Sequence, residues 1–501
     1  MPEAELNERL DHEIIELLKK AIYEISLKEP GDINATTKIS EFGLDSVAIM
    51  ELIGLLEENL SIRVEDAEVA SLQTVGDLLT LIRNRMEGST PNPAPEVLQS
   101  WDECCDITAL PEIRGLERRI ADLGNAKLGN PYFHVHDGTA GSSSVIGGVR
   151  MLNFSSYNYL GFCGHPEVNQ AAKEAIDRYG TSVSASRLVS GERRLHLDLE
   201  SGISRHIGVE DAVVFVSGHA TNVTTIGHLF DKNDLIIHDA LCHDSILQGI
   251  YLSGAKRRSF RHSDTADLEA ILKRSRGNYR RVLICSEGLF SMDGDICDLP
   301  SMIELKKRFR CYLMIDEAHS IGVLGHAGRG VAHHFTGTDP RDVDLWMGTL
   351  SKSFASCGGY IAGRKELIRY LKYTAPGFLY SVGMPPPNAA AALKSLELMQ
   401  RHPEIVERLR RRSRLFLELA RSSGVDTGLA MGAAVIPAII GDSVRCMQIS
   451  SALAARKINV QPIVHPAVEE NAARLRFFIS ANHTEDEIRY TVQALSEALN
   501  S

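Results

Sequence analysis

What this chain of 501 residues lacks narrows what it can be. Its nine cysteines include no Cys-x-x-Cys pair, and the one adjacent pair, Cys104-Cys105, is poor geometry for a metal or a disulfide. Reduced thiols in a cytoplasmic protein without a metal site are the expectation. The opening residues, Met1-Pro2-Glu3-Ala4-Glu5, carry no apolar signal core, and no apolar run approaches the length that spans a membrane. No basic cluster interleaved with aromatics is present, which argues against a nucleic-acid partner. There is no internal repeat, so a solenoid is excluded.

Charge is present but unevenly placed. Residues 1–87 hold 19 acidic and 8 basic residues, which accounts for the whole net charge of −11. Within them Ile14, Leu18, Ala21, Ile22 and Ile25 recur at helical spacing, and Pro30-Gly31 ends that helix. A second amphipathic helix follows Gly43-Leu44-Asp45-Ser46-Val47, and Thr74 is a plausible N-cap for another through Leu78, Leu79, Leu81 and Ile82. An acidic all-α bundle of four helices is expected over 1–87, its surface suited to basic partners. Gly88-Ser89-Thr90-Pro91-Asn92-Pro93-Ala94-Pro95 predicts an extended linker over 88–100.

Beyond residue 101 the pattern changes. Continuously apolar runs (Ala212–Val216, Leu235–Ile237, Val282–Ile284, those ending at Ile315 and Met347) alternate with helical stretches. This predicts an α/β domain with a largely parallel sheet and ligands at the carboxyl ends of the strands. The expected division is an arm at 101–150, a large domain at 151–394, and a small α+β domain at 395–501.

The chemistry lies where those runs end. Lys352 follows Val343–Gly348 in a small-residue turn, flanked by Ser351 and Ser353. Asp316 and His319 follow the run ending at Ile315. An imine-forming lysine needs a setting that favours the free amine, and a carboxylate beside a pyridine nitrogen turns pyridoxal phosphate (PLP) into an electron sink. Lys352 and Asp316 therefore read as the Schiff-base lysine and the pyridine partner, with His319 in reach of the ring oxygen. Gly218 opens a turn into a helix whose N-terminal amides can hold a phosphate, and His243 can stack on a planar ring.

Two resemblances add to this. Gly43–Val47 at a helix start in an acidic bundle resembles the acyl carrier protein family and implies 4'-phosphopantetheine on Ser46, attached by a phosphopantetheinyl transferase. Residues 105–500 resemble the α-oxoamine synthases, fold-type I PLP enzymes that include serine palmitoyltransferase and the oxononanoate synthase of biotin synthesis. The motifs occur in order: Tyr179-Gly180-Thr181, Ser186–Gly191, His196, Glu200, Phe290–Asp295, Asp316–Gly322, Gly348–Ser353 and Arg474-Leu475-Arg476. The resemblance implies that Gly218, His219 and Thr349 bind phosphate and that Ser291 joins His319 near the phenolic oxygen. It implies that Arg476, with Asn158 and Ser186, addresses the amino-acid carboxylate. It further implies a homodimer in which the Tyr380-Ser381 segment reaches the partner's phosphate. Cys242-His243-Asp244-Ser245 departs from the family's Asn-His-Ala-Ser, Ser182–Ala185 departs from a glycine-rich run, and Asn158 is displaced by one from the asparagine of most members.

The implied activity is a decarboxylative Claisen condensation. A small amino acid (serine, with glycine or alanine next) meets an acyl thioester on Ser46 of its own or the partner chain, loaded by an upstream enzyme. Lys352 moves the α-proton, with His243, Asp316 and His319 as the other catalytic groups. The alternatives are a PLP aminotransferase or decarboxylase acting on a tethered substrate, and a non-catalytic scaffold.

Overall fold

The computed structural model describes residues 3–26, 31–42, 46–60, 62, 64, 72–86, 106–125, 130–465 and 467–500. Gly43–Asp45, Pro30, the linker and Cys104-Cys105 lie outside the described residues. The chain divides into two compact units, Met1–Glu117 and Arg118–Ser501.

In the first unit, helices Glu3–Ser26, Ser46–Leu60 and Val75–Met86 pack around Ile14, Leu18, Leu52, Leu56, Val75 and Leu78. These are three of the four expected helices. The stripe arises because residues three and four apart share a helix face. Thr74 caps the third helix as its spacing predicts: its hydroxyl accepts the Asp77 N–H at 3.2 Å, and Asp77 Oδ2 accepts the Thr74 N–H at 2.8 Å. Ser46 is the first residue of the second helix.

The second unit is built on a seven-stranded sheet. Its strands are β4 (Asp211–Phe215), β5 (Leu235–Asp239), β6 (Lys256–Phe260), β7 (Val282–Glu287), β8 (Tyr312–Asp316), β9 (Leu345–Thr349) and β10 (Gly359–Gly363). They lie in the order β4-β10-β9-β8-β7-β5-β6. From β9 through β6 the pairs are parallel, while β10 is antiparallel to both β9 and β4. The apolar runs contribute to both faces. Val282, Ile284, Leu313 and Ile315 join one apolar cluster, and Leu283, Cys285 and Met314 join the other. Each such fully buried side chain stabilises the fold by about 1.5–3 kcal/mol.

Two smaller sheets bring distant segments to the site. β1 (His136–Asp137), β2 (Ser143–Ile146) and β3 (Val149–Asn153) form a meander, and β3 pairs in parallel with β12 (Ile458–Asn459). β11 (Val435–Ile439), β13 (Pro462–Ile463) and β14 (Arg474–Phe478) form an antiparallel sheet in the order β11-β14-β13. No described helix is long and apolar enough to cross a membrane.

Candidate active site

The carboxyl ends of β7 and β8 place Glu287 and Asp316 side by side, because the strands are parallel and in register, while Asp316 pairs with Met347 on β9 and Thr349 lies two residues beyond. Asp316, 4 % exposed, accepts Asn222 Nδ2 at 2.9 Å and the Ala318 N–H at 2.8 Å. The same Asn222 Nδ2 reaches the Ser245 hydroxyl at 2.9 Å, tying helix Gly218–Leu229 to helix Asp244–Ser253. His243 caps that second helix. Its Nδ1 accepts the Ser245 N–H at 3.2 Å and lies 2.8 Å from the Ser245 hydroxyl. Burial lowers the His243 pKa and Lys352 lowers it further, while Asp316 raises it.

His319 is buried with Nδ1 2.7 Å from the Tyr159 hydroxyl. Burial, Lys352 and Arg476 hold its pKa well below the ordinary imidazole value, so the ring is neutral. Lys352 is half-buried in the turn after β9, its Nζ 5.5 Å from the centre of the Tyr157 ring. Burial brings its pKa down to about 8, with Arg476 adding to the fall and Asp316 and Glu287 opposing it. An amine so placed is partly free base near neutral pH.

Where Gly218 begins its helix, a Cβ would stand 2.8 Å from Thr349 Oγ1, so only glycine lets the helix N-terminus come this close to the end of β9. Thr349 Oγ1 also accepts the Ser351 N–H at 3.3 Å. His219, next along, is exposed. Ser291 is half-buried, and its carbonyl oxygen accepts from Arg476 Nη1 at 3.0 Å. The Arg476 guanidinium lies 4.7 Å from the Phe478 ring, and its Nε is buried without a partner.

Lys352 lines a cavity of about 900 Å³, whose walls include Tyr132, Phe133, His136, Tyr157, Asn158 and Gln461. The Asn158 amide is taken up by the main chain: it donates to Ala140 at 3.1 Å and accepts the Cys163 N–H at 3.1 Å. Ser186 precedes a π-turn at Arg187–Gly191, and its carbonyl accepts the Gly191 N–H at 2.9 Å. Ser381 lines a narrow crevice with Arg187, Phe215 and Val216, and Tyr380 is 88 % exposed. Lys352, Asp316, His319, His243, Arg476 and Ser291 therefore converge within one chain, whereas the Asn158 amide and the Ser186 carbonyl are engaged by main chain and Ser381 lines a different crevice. Glu287, Asn222 and Tyr159 were given no role from sequence. Asn222 stands four residues after Gly218 and Tyr159 beside Asn158, but the contacts of all three are made only in the folded chain.

The site fits PLP. A guanidinium with its Nε unpartnered, a carboxylate with neutral donors, a lysine with a lowered pKa, and a glycine-opened helix end beside Thr349 make up the donor set that the cofactor requires.

Comparison with known proteins agrees. Residues 149–495 match the family model described as aminotransferase class I and II, and residues 13–82 match the phosphopantetheine attachment site. The chain belongs to the class I and II aminotransferase family. Within it, the relatives are α-oxoamine synthases. The chain is 40% identical to 8-amino-7-oxononanoate synthase of Treponema denticola over 71% of its own length and 90% of that protein's. It is 41% identical to the same enzyme of Symbiobacterium thermophilum, with the same coverage. Serine palmitoyltransferase of Sphingomonas wittichii superposes with a TM-score of 0.74 at 28% identity, covering 78% of this chain and 98% of that one. This chain is thus an α-oxoamine synthase, a PLP-dependent acyltransferase, joined to a phosphopantetheine attachment domain. The attachment domain implies an acyl thioester substrate and modification by a phosphopantetheinyl transferase.

Proposed function

We propose that the chain condenses a small amino acid with an acyl thioester carried on Ser46, with loss of CO₂, to give an α-amino ketone. The observation that carries this reading is that Lys352, which lines the cavity, lies within reach of the charges of Asp316 and Arg476, and that the Nε of Arg476 is buried without a partner. PLP, when bound, supplies an electron sink for the α-carbon. Lys352 would hold the cofactor and take the α-proton, which its lowered pKa suits. Arg476 would hold the substrate carboxylate through its guanidinium fork. Asp316 would face the pyridine nitrogen, with His319 and Ser291 toward the phenolic oxygen. Gly218, His219 and Thr349 would hold the phosphate, and Ser381 would act across a homodimer. His243 would cover the ring. The new carbon–carbon bond joins the α-carbon to the acyl carbonyl carbon, and the carrier thiol leaves with its proton before CO₂ departs.

The relatives refine the substrate. An amino group on C8 beside a ketone on C7 of a nine-carbon acid is what alanine gives with a seven-carbon acyl thioester after decarboxylation. We infer alanine ahead of serine, the first expectation from sequence, because the chain is 40% identical to those enzymes and 28% identical to the serine palmitoyltransferase. We read 1–87 as the carrier, 88–100 as the linker, 101–150 as the arm, and 151–394 and 395–501 as the PLP-binding and small domains of a cytoplasmic enzyme served by an acyl-loading partner. Fusion raises the donor's effective concentration to about the millimolar range. Incubating the acyl-loaded holoenzyme with alanine, serine and glycine separately, and weighing the released ketone, tests the reading. One product lighter by CO₂ than the sum of its parts is expected, and a keto acid from transamination would overturn it.

A further inference from the structure

Two carboxyl groups stand together beneath the site, and only one has a role so far. Glu287 and Asp316 are direct neighbours in the parallel register of β7 and β8. Cys285 and Met314, two residues earlier on each strand, enter the same apolar cluster, so both carboxyl groups emerge on one face. Both are buried, at 3 % and 4 % exposure. Their surroundings differ. Asp316 has the Asn222 amide and the Ala318 N–H. Glu287 receives the main-chain N–H of His243, and its Oε1 is buried with no partner. The charged groups acting on Glu287 are Asp316 on β8, Asp239 on β5 and Lys352 after β9. Two adjacent buried carboxylates with one shared lysine cannot both ionise at modest cost, and the one with more donors keeps the charge.

We propose that Glu287 is a positioning residue that works as a neutral carboxylic acid, anchoring His243 and leaving Asp316 the sole negative charge beneath Lys352. This deepens the proposed function and rests on it only for the role of Lys352. Burial and Asp316 push the Glu287 carboxyl well above the usual range, in keeping with the geometry. The consequence falls on the amine. An ionised Glu287 would raise the pKa of Lys352 and hold its proton in place, whereas a neutral one lets the proton go.

The test starts from apoprotein labelled with carboxyl-¹³C glutamate. Infrared spectra are recorded at about pH 9, above the range of Glu317, which burial moves up to about 7. A carboxylic-acid C=O band that shifts with the isotope and is lost in E287Q is expected. Its absence from the wild-type protein overturns the proposal whether or not the chain catalyses condensation. If E287Q does not fold, the wild-type spectrum decides alone. In the holoenzyme, the pH midpoint of the PLP–lysine absorption band should stay within about 0.3 unit of wild type in E287Q, because a neutral amide replaces a neutral acid. A fall of about one unit or more would show that an anion had been removed, and would equally overturn it. A normal band titration with no condensation would sink the proposed function and leave the assignment of Glu287 standing.

Discussion

Asp316, Glu287 and His319 are 4, 3 and 6 % exposed, while Tyr132, Phe133 and Tyr157 are 38, 98 and 41 % exposed. The first group forms the floor of the site and is held by strand register. The second forms its rim, on segments brought to the cavity where β3 pairs with β12 more than 300 residues on. The floor is dry, so charge, burial and hydrogen bonds decide protonation there. The rim is open, and Phe133 holds a left-handed backbone there (φ +60°), a conformation uncommon for a bulky residue. On the function proposed above, the floor would set the chemistry and the rim would contact the acyl chain.

That contrast can be broken at four points. Removing the floor's amine has the largest effect: Lys352→Ala should reduce kcat by about 10³-fold or more, with folding intact by circular dichroism. Next comes a support beneath the floor. His262 lies 2.9 Å from Asp239 and 3.1 Å from Asp295, and these two carboxylates raise its pKa to about 10 against the cost of burial. His262→Gln should cost about 2–4 kcal/mol in denaturant unfolding, because two buried carboxylates lose their cation. The same pair sets a pH dependence. The folded pKa lies above the unfolded value, so the contribution is full below about pH 6.5 and is lost as pH rises through about 10. Unfolding midpoints across that window check the sign.

Arg476→Ala should raise KM for the amino acid about 10- to 100-fold, the worth of a charge-assisted hydrogen bond, while leaving KM for the acyl donor unchanged. Phe133→Ala should do the reverse and more weakly, raising KM for the acyl donor about 3- to 5-fold at constant kcat, which corresponds to partial burial of one aromatic face. If Phe133→Ala raised KM for the amino acid and Arg476→Ala raised KM for the acyl donor, the division between floor and rim would be wrong.

Much of the floor was legible in the chain because its signals are local. Lys352, Asp316 and Gly218 each follow an apolar run directly, and a strand that ends in a polar turn presents its next residues at the sheet's carboxyl edge. Thr74 was legible for the same reason, as a cap three positions from Asp77, the residue it serves. What stayed hidden depends on contacts made only in three dimensions. Nothing near Glu287 in sequence says that it will stand opposite Asp316, and nothing near Tyr159 points to His319, 160 residues away. Strand β10 was hidden too. Its return between β9 and β4 makes that edge antiparallel, and Gly359 permits it, since a Cβ there would meet Gly218 Cα at 2.7 Å.

The central claim is that the acyl group on this chain's own carrier serine is consumed at Lys352. Intact-mass measurement of the PLP-loaded, acyl-phosphopantetheinylated chain before and after alanine addition tests it most directly. The predicted result is loss of the acyl mass from Ser46 with the phosphopantetheine retained, and no loss in Lys352→Ala. An acyl group that stays on Ser46 in the wild-type chain with alanine, serine or glycine present would contradict the account.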